Sequence, residues 1–375
     1  MLKCALKVGF LLVFFTQSFA QSGFEVRGKV GFLAAHHAGM AHMPKQLAVA
    51  TELTYFKRLT DNYIWQKSYR QPLVGSTLFI GSVGNNEILG RYVGVYGFAE
   101  LPVIKYKKYR MDWKFSTGSG YTNKPYDPVS NPKNVAIGSH LNALMCFALK
   151  QTFGFRNSAI TLSMDMTHFS NGAFKVPNLG INLPYLSLGY QHYIIGIKKK
   201  APRDYEVIKK DAVYQIKPRP MKNFLTYQQW QLSLNGIFTA KETMPIGGKK
   251  YPVYAGSISL RRYGSYKSGL EVNLDVLSKQ ALMNYEPMVE KSQLDILQLG
   301  LSASYILPLD RFNFVYGAGV YIRDKYRADG PLYIRLGCRY YVTKNISAVF
   351  GLKTHYAKAD YLEFGLSYHI IDLKK

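Results

Sequence analysis

The stretch Leu297-Gln298-Leu299-Gly300-Leu301-Ser302-Ala303-Ser304-Tyr305 alternates apolar and small or polar residues without a break. Side chains i and i+2 of a β-strand share a face. Leu297, Leu299, Leu301, Ala303 and Tyr305 therefore line one side, and Gln298, Gly300, Ser302 and Ser304 the other. The pattern recurs elsewhere in the chain. Trp230, Leu232 and Leu234 oppose Gln229, Gln231, Ser233 and Asn235; Leu332, Ile334, Leu336, Cys338 and Tyr340 oppose Tyr333, Arg335, Gly337, Arg339 and Tyr341. Leu362, Phe364, Leu366 and Tyr368 oppose Glu363, Gly365, Ser367 and His369. Strand-like stretches run from 22–33 to 360–371, with few helical ones between them.

Alternation alone does not say whether the apolar face is buried in a soluble sandwich or turned to lipid. Thirty tyrosines in 375 residues suit the interfacial aromatic girdles of a membrane barrel. The first twenty residues read as a secretory signal: Lys3 and Lys7, an apolar run from Val8 to Phe15, and Ser18-Phe19-Ala20 before a cut. No later window approaches the roughly 20 apolar residues of a membrane helix. An exported chain then crosses lipid, if at all, as a closed barrel. The expected fold is all-β, a transmembrane antiparallel β-barrel of about 12–16 strands. The alternative arrangement is an eight-stranded unit through residue 196 followed by a second β unit.

The net charge is +25 and falls by two once the signal leaves. Such an excess calls for an anionic partner. Export argues against nucleic acid, which leaves phosphorylated lipid head groups. Cys146 and Cys338 are too few for a disulfide framework and read as small apolar residues. His36, His37 and His42 match no metal-ligand spacing, and no metal site is expected. Nor is there a phosphate-cradling glycine loop or a Gly-x-Ser-x-Gly elbow.

Chemistry concentrates in Thr167-His168-Phe169-Ser170-Asn171-Gly172-Ala173 and Pro177-Asn178-Leu179-Gly180-Ile181-Asn182. His168 and Ser170 share a strand face with Leu162, Met164 and Met166. A serine nucleophile needs a base, a group that orients the base, and donors for an oxyanion. His168 fits the first role and Asn182, of matching parity on the next strand, the second. Asn171 and Asn178, with the backbone N–H groups of Gly172 and Ala173, are candidates for the third. With a periplasmic N-terminus, strand parity places Ser170 at the outer surface. The same parity leaves the basic segment 197–223 on the periplasmic side, where turns are short. By spacing alone, His-x-Ser on a strand is more often a structural rim feature than a catalytic pair.

His168-Phe-Ser170-Asn171-Gly172-Ala173 followed by Pro177-Asn178-x-Gly180 resembles the signature of the outer-membrane lipid A 3-O-deacylase family (PagL type, or acyloxyacyl hydrolases). The resemblance implies a carboxylic ester hydrolase that removes an acyl chain from lipopolysaccharide. It implies His168 as base, Ser170 as nucleophile, and Asn171 and Asn178 as support for the oxyanion. The family's glutamate falls at Asn182. His-x-Ser-Asn-Gly with an asparagine partner also resembles outer-membrane phospholipase A. In that family a calcium-holding arginine falls at Ala173, and calcium is expected only under that alternative. A non-catalytic pore or structural barrel is the third reading.

The expected organisation is a signal peptide at 1–20, deacylase-like barrel strands at 21–196, a basic linker or loop at 197–223, and further strands at 224–375. The expected location is the outer membrane of a Gram-negative bacterium. The expected partners are lipid A or phospholipid, with no nucleic acid and with a homodimer left open.

Overall fold

The computed structural model describes residues 22–59, 63–194, 205–210, 213–218, 224–284, 288–326, 329–356 and 358–373. The signal-like residues 1–20 lie outside this set. The first eight strands are β1 (Ser22–Gly31), β2 (Ala48–Arg58), β3 (Leu73–Ser82), β4 (Arg91–Tyr106), β5 (Tyr109–Thr122), β6 (Leu141–Phe155), β7 (Ser158–Ser170) and β8 (Ile181–Ile194). Each pairs antiparallel with its neighbour, and β1 also pairs with β8, so the sheet closes. A two-stranded hairpin follows, β9 (Tyr205–Lys210) with β10 (Val213–Pro218).

The second set comprises β11 (Trp230–Glu242), β12 (Lys250–Ser265), β13 (Ser268–Lys279), β14 (Leu297–Leu309), β15 (Phe312–Arg323), β16 (Leu332–Tyr341), β17 (Ile346–His355) and β18 (Lys358–Leu373). It closes through β11 on β18. The barrel strands thus number as expected, but they are divided between two closed barrels and do not form one. Once β8 has satisfied the free edge of β1, no unpaired edge is left for β11 to join. The basic segment that fitted poorly as a periplasmic turn contains the hairpin that connects barrel one to barrel two in the chain.

Charge is inverted relative to a soluble sandwich. On β1, Phe24, Val26 and Val30 are more than half exposed, while Glu25, Arg27 and Lys29 are at most 2 % exposed. The apolar face turns outward to lipid and the ionic face fills the lumen. In barrel one Arg27 bridges Glu25 (2.7 Å) and Glu52 (3.4 Å). Lys29 bridges Glu52 (2.9 Å) and Asp165 (2.8 Å), and Lys150 bridges Glu25 and Glu100 (both 2.8 Å). Barrel two repeats the device with Arg339–Glu271 at 2.9 Å, Arg335–Asp275 at 2.7 Å and Lys353–Asp360 at 3.2 Å. Each lumen is a packed ionic core in which most charges are met by an opposite one, as burial demands, while Lys114 Nζ in barrel one instead lies over the rings of Tyr96 and Phe98.

Two-residue connections at 107–108, 156–157, 266–267 and 310–311 mark one end of the barrels. Lys107, Arg156 and Asp310 take positive φ there, as tight hairpins require. The Tyr69 hydroxyl, which follows the helix α1 (Ile64–Ser68) in the β2–β3 loop, donates to Lys267 O at 3.1 Å. The tight-turn ends of the two barrels therefore lie side by side. Leu59, Trp65, Tyr69 and Leu101 of barrel one pack there with Leu309 of barrel two. At the opposite end of barrel one, Leu33, Met40, Met43, Leu89 and Ile137 from its longer loops pack into the apolar core that caps the lumen.

Candidate active site

β7 carries His168 and Ser170 to the long-loop end of barrel one. Phe169 turns into the lumen against Phe79 and Tyr92, while Leu162, Met164 and Met166 are exposed outside. His168 and Ser170 share that outer face. Asn182 stands directly opposite His168 in the β7–β8 register. His168 Nδ1 and Asn182 Oδ1 are 2.6 Å apart. An amide oxygen only accepts, so Nδ1 carries the proton and Nε2 is left as the basic nitrogen.

The amide's orientation is set by His36, one of the loop histidines that match no metal-ligand spacing. Asn182 Nδ2 lies 3.1 Å from His36 Nδ1, and His36 Nε2 lies 2.9 Å from Leu179 O. A neutral His36 with its proton on Nε2 donates to the carbonyl and accepts from the amide, the shorter of the two contacts at Nδ1, which also lies 3.3 Å from Ala34 O. The flipped amide would need a doubly protonated His36. His36 thus points Asn182 Oδ1 at His168. With His36 and Asn182 146 positions apart in the chain, and a loop on one side of the contact, no local pattern announces the pairing.

Ser170 is 3 % exposed. Its Oγ accepts from Asn178 Nδ2 at 3.0 Å and from Gly172 N at 3.1 Å. No hydrogen bond joins it to His168 among the described residues. Asn171 holds the turn: its Nδ2 donates to Ser139 Oγ (2.9 Å) and Lys175 O (2.8 Å), and its N–H to Asn178 Oδ1 (3.0 Å). Its side chain braces the loop and is turned away from the serine. Gly172 and Ala173 both adopt positive φ, 60° and 59°, which swings the backbone round so that Gly172 N–H meets Oγ. The N–H of Ala173 has no partner among the described residues.

The loop β7–β8 is held from three sides. Gly180 N donates to Ala136 O (3.0 Å) in the β5–β6 loop. In that loop, backbone N–H groups of Ser130 and Val129 hold Asp127 below the usual carboxylate range. At Gly180 (φ 79°) a Cβ would stand 2.9 Å from His168 Cε1, so glycine lets the loop close over the imidazole. Barrel two supplies the third side. Glu242 N donates to Ala173 O (3.0 Å), Lys250 Nζ sits 3.6 Å from the Phe174 ring centroid, and a Cβ at Gly172 would lie 2.4 Å from Leu362 Cγ. Beside Ser170 a cavity of about 290 Å³ opens between the two barrels.

Asp329, His355 and Asp360 form a metal-like grouping in barrel two. Lys279 and Lys353 already pair with Asp360, at 3.3 and 3.2 Å, so its charge is met by ammonium groups. His37 Nδ1 accepts from Gly39 N and His42 Nε2 contacts Lys133 O (2.8 Å), so both rings serve the loop backbone.

Residues 54–191 match the family model of lipid A 3-O-deacylase (PagL), and residues 228–372 match that of the acyloxyacyl hydrolase C-terminal domain (PagL_C). The chain belongs to the PagL-type family. The two matches fall on barrel one and barrel two respectively, so the PagL-type assignment takes in both. No curated protein matches the sequence. Among solved structures, one described as "Asymmetric conductivity of engineered proteins" is similar at 8% identity, covering 94% of this chain and 100% of that one, with a TM-score of 0.20. A triple mutant of the Rhodopseudomonas blastica porin is similar at 7% identity with the same coverage and TM-score. Similarity at that level carries no argument about the PagL-type chain.

Proposed function

We propose that this protein is an outer-membrane serine esterase that hydrolyses an ester-linked acyl chain of lipid A, with Ser170 as nucleophile, His168 as base and Asn182 as its orienting partner. The observation that carries the reading is the bond from His168 Nδ1 to Asn182 Oδ1 beside Ser170, on the outer face of a PagL-type barrel. Packed lumens in both barrels weigh against a pore.

In the reaction, Ser170 Oγ leaves Asn178, passes its proton to His168 Nε2 and attacks the ester carbonyl carbon. Gly172 N–H and Asn178 Nδ2, which already converge on Oγ, lie beside the oxygen that takes up negative charge, with Ala173 N–H as a third donor. His168 returns the proton to the departing alcohol. Water, deprotonated by His168, then attacks the acyl-enzyme carbonyl, and the imidazolium returns that proton to Ser170 Oγ as the fatty acid leaves. Asn182 orients the imidazole without supplying the charge that a carboxylate brings to an imidazolium. Lys175 and Lys250 border the loop and suit the lipid phosphates. The first twenty residues serve as a cleaved export signal in this reading.

The amide at Asn182 favours one second reading, a phospholipase A-like enzyme with the same serine chemistry. Mass spectrometry of lipid A from expressing cells, beside Ser170→Ala, decides between them. Loss of one acyl chain with the parent protein and not with the variant is the expected result. Intact lipid A with fatty acid released from phospholipid would move the assignment to the phospholipase. If both lipids stay intact over a folded barrel, the hydrolase reading fails.

A further inference from the structure

We infer that barrel two supplies the far wall of the substrate's acyl-chain site, so that the chain enters a slot between the barrels and barrel two selects its length. This rests on the esterase reading above and adds to it where the chain lies. The cavity of about 290 Å³ is close to the lower limit of small-molecule sites. Ser170 borders it at the long-loop end. Met145 and Phe147 on β6 line one wall, and Leu336, Cys338, Phe350 and Leu352 on β16 and β17 line the other. An apolar slot beside a nucleophile matches a flexible hydrocarbon tail and repels a solvated sugar or phosphate.

The slot has a floor. Phe115, Leu307 and Phe314 line it and also pack on the Leu59–Trp65–Leu309 cluster near the tight-turn end, with the rings of Phe115 and Phe314 5.5 Å apart. Ala143 pairs with Ser170, and Phe147, four residues along β6, pairs with Met166. At about 3.3 Å per residue, the depth from nucleophile to floor is about 13 Å along the strand. That length holds a medium acyl chain extended. The outer stripe of Leu162, Met164 and Met166 on the neighbouring strand is exposed and continues the apolar surface beside the slot.

Cys338 is a native reporter, since its side chain lines the slot while Cys146 is buried in barrel one. The full-length protein in detergent micelles is treated with phosphonate esters that trap serine nucleophiles, one with a decyl chain and one with a methyl group. Maleimide labelling of Cys338 is then read by peptide mass spectrometry. The decyl phosphonate is expected to lower Cys338 labelling at least tenfold relative to the methyl one. In parallel, Cys338→Phe is compared with the parent on butanoyl, decanoyl and hexadecanoyl nitrophenyl esters. The decanoyl-to-butanoyl ratio of kcat/KM is expected to fall about tenfold. Equal Cys338 labelling after both phosphonates have modified Ser170 would overturn the slot and leave the esterase standing. Failure of either phosphonate to modify Ser170, with no ester turned over, would overturn the esterase reading itself and the slot with it.

Discussion

The seventh strand of each barrel carries a histidine near its long-loop end, and the two histidines have opposite fates. In barrel one His168 faces outward, bonded through Nδ1 to a neutral amide, with Nε2 uncommitted. In barrel two His355 faces the lumen, 3.0 Å from Asp360, with Lys353 Nζ 3.3 Å away. A strand alternates faces at every residue, so a shift of one position decides whether an imidazole meets substrate or joins an ionic core. On the proposed reading, the same fold carries a reactive site in one copy and a supporting wall in the other. Reactivity follows from strand parity and the neighbouring strand's residue, not from the presence of a histidine.

The comparison breaks first at the serine. Ser170→Ala is expected to lower lipid deacylation by about 10⁴-fold or more, as loss of a nucleophile does. His355→Ala should leave turnover per folded molecule within about twofold. Comparable losses from both would mean that barrel two takes a direct part in the chemistry. Next comes stability. Lys150→Met strips Glu25 and Glu100 of their shared ammonium and should destabilise barrel one by about 3–5 kcal/mol, read as an earlier urea unfolding step. A matched Glu271→Gln in barrel two, which weakens the pairing of Arg339 and Arg261, tests whether the barrels unfold separately or together. A single shared transition would show that the interface between them outweighs either lumen.

Smaller effects sharpen the outward-facing histidine. Asn182→Glu places a carboxylate beside the imidazolium and should raise kcat about tenfold, worth about 1.4 kcal/mol. A fall in kcat would show that the amide's fit to His36 matters more than charge. His36→Ala removes the bond that orients Asn182 and should lower kcat by about tenfold or less with little change in KM, the scale of one hydrogen bond. Its effect should vanish in an Asn182→Ala background, since a positioning residue acts only through what it positions.

Much of this was legible in the sequence because barrels write their faces into alternate residues. The run Leu297 to Tyr305 became β14, and strand parity put Ser170 at the end opposite the tight turns. The His168–Asn182 contact was visible because adjacent antiparallel strands of known start carry their register with them. Closure was legible only as the alternative of an eight-stranded unit through residue 196 followed by a second unit, which the structure adopts: Ser22 pairing with Ile194 leaves no mark in the sequence that decides between two rings of strands and one large ring. Nor was His36, whose loop reaches Asn182 through a tertiary contact, or the Leu362–Gly172 approach, which exists only once two barrels stand together. Asn171 kept its place beside the serine, but its amide went to Ser139 and Lys175, a loop contact that spacing does not encode.

The filled lumens carry a kinetic consequence. Two barrels whose axes are blocked by Arg27, Lys150, Arg335 and Lys353 are pillars, so on the proposed reading a lipid substrate reaches Ser170 only sideways, through the plane of the leaflet. Its effective concentration is then a surface density and its arrival is two-dimensional diffusion. Diluting the lipid substrate with inert detergent, at constant bulk concentration, should slow turnover in proportion to its mole fraction in the micelle.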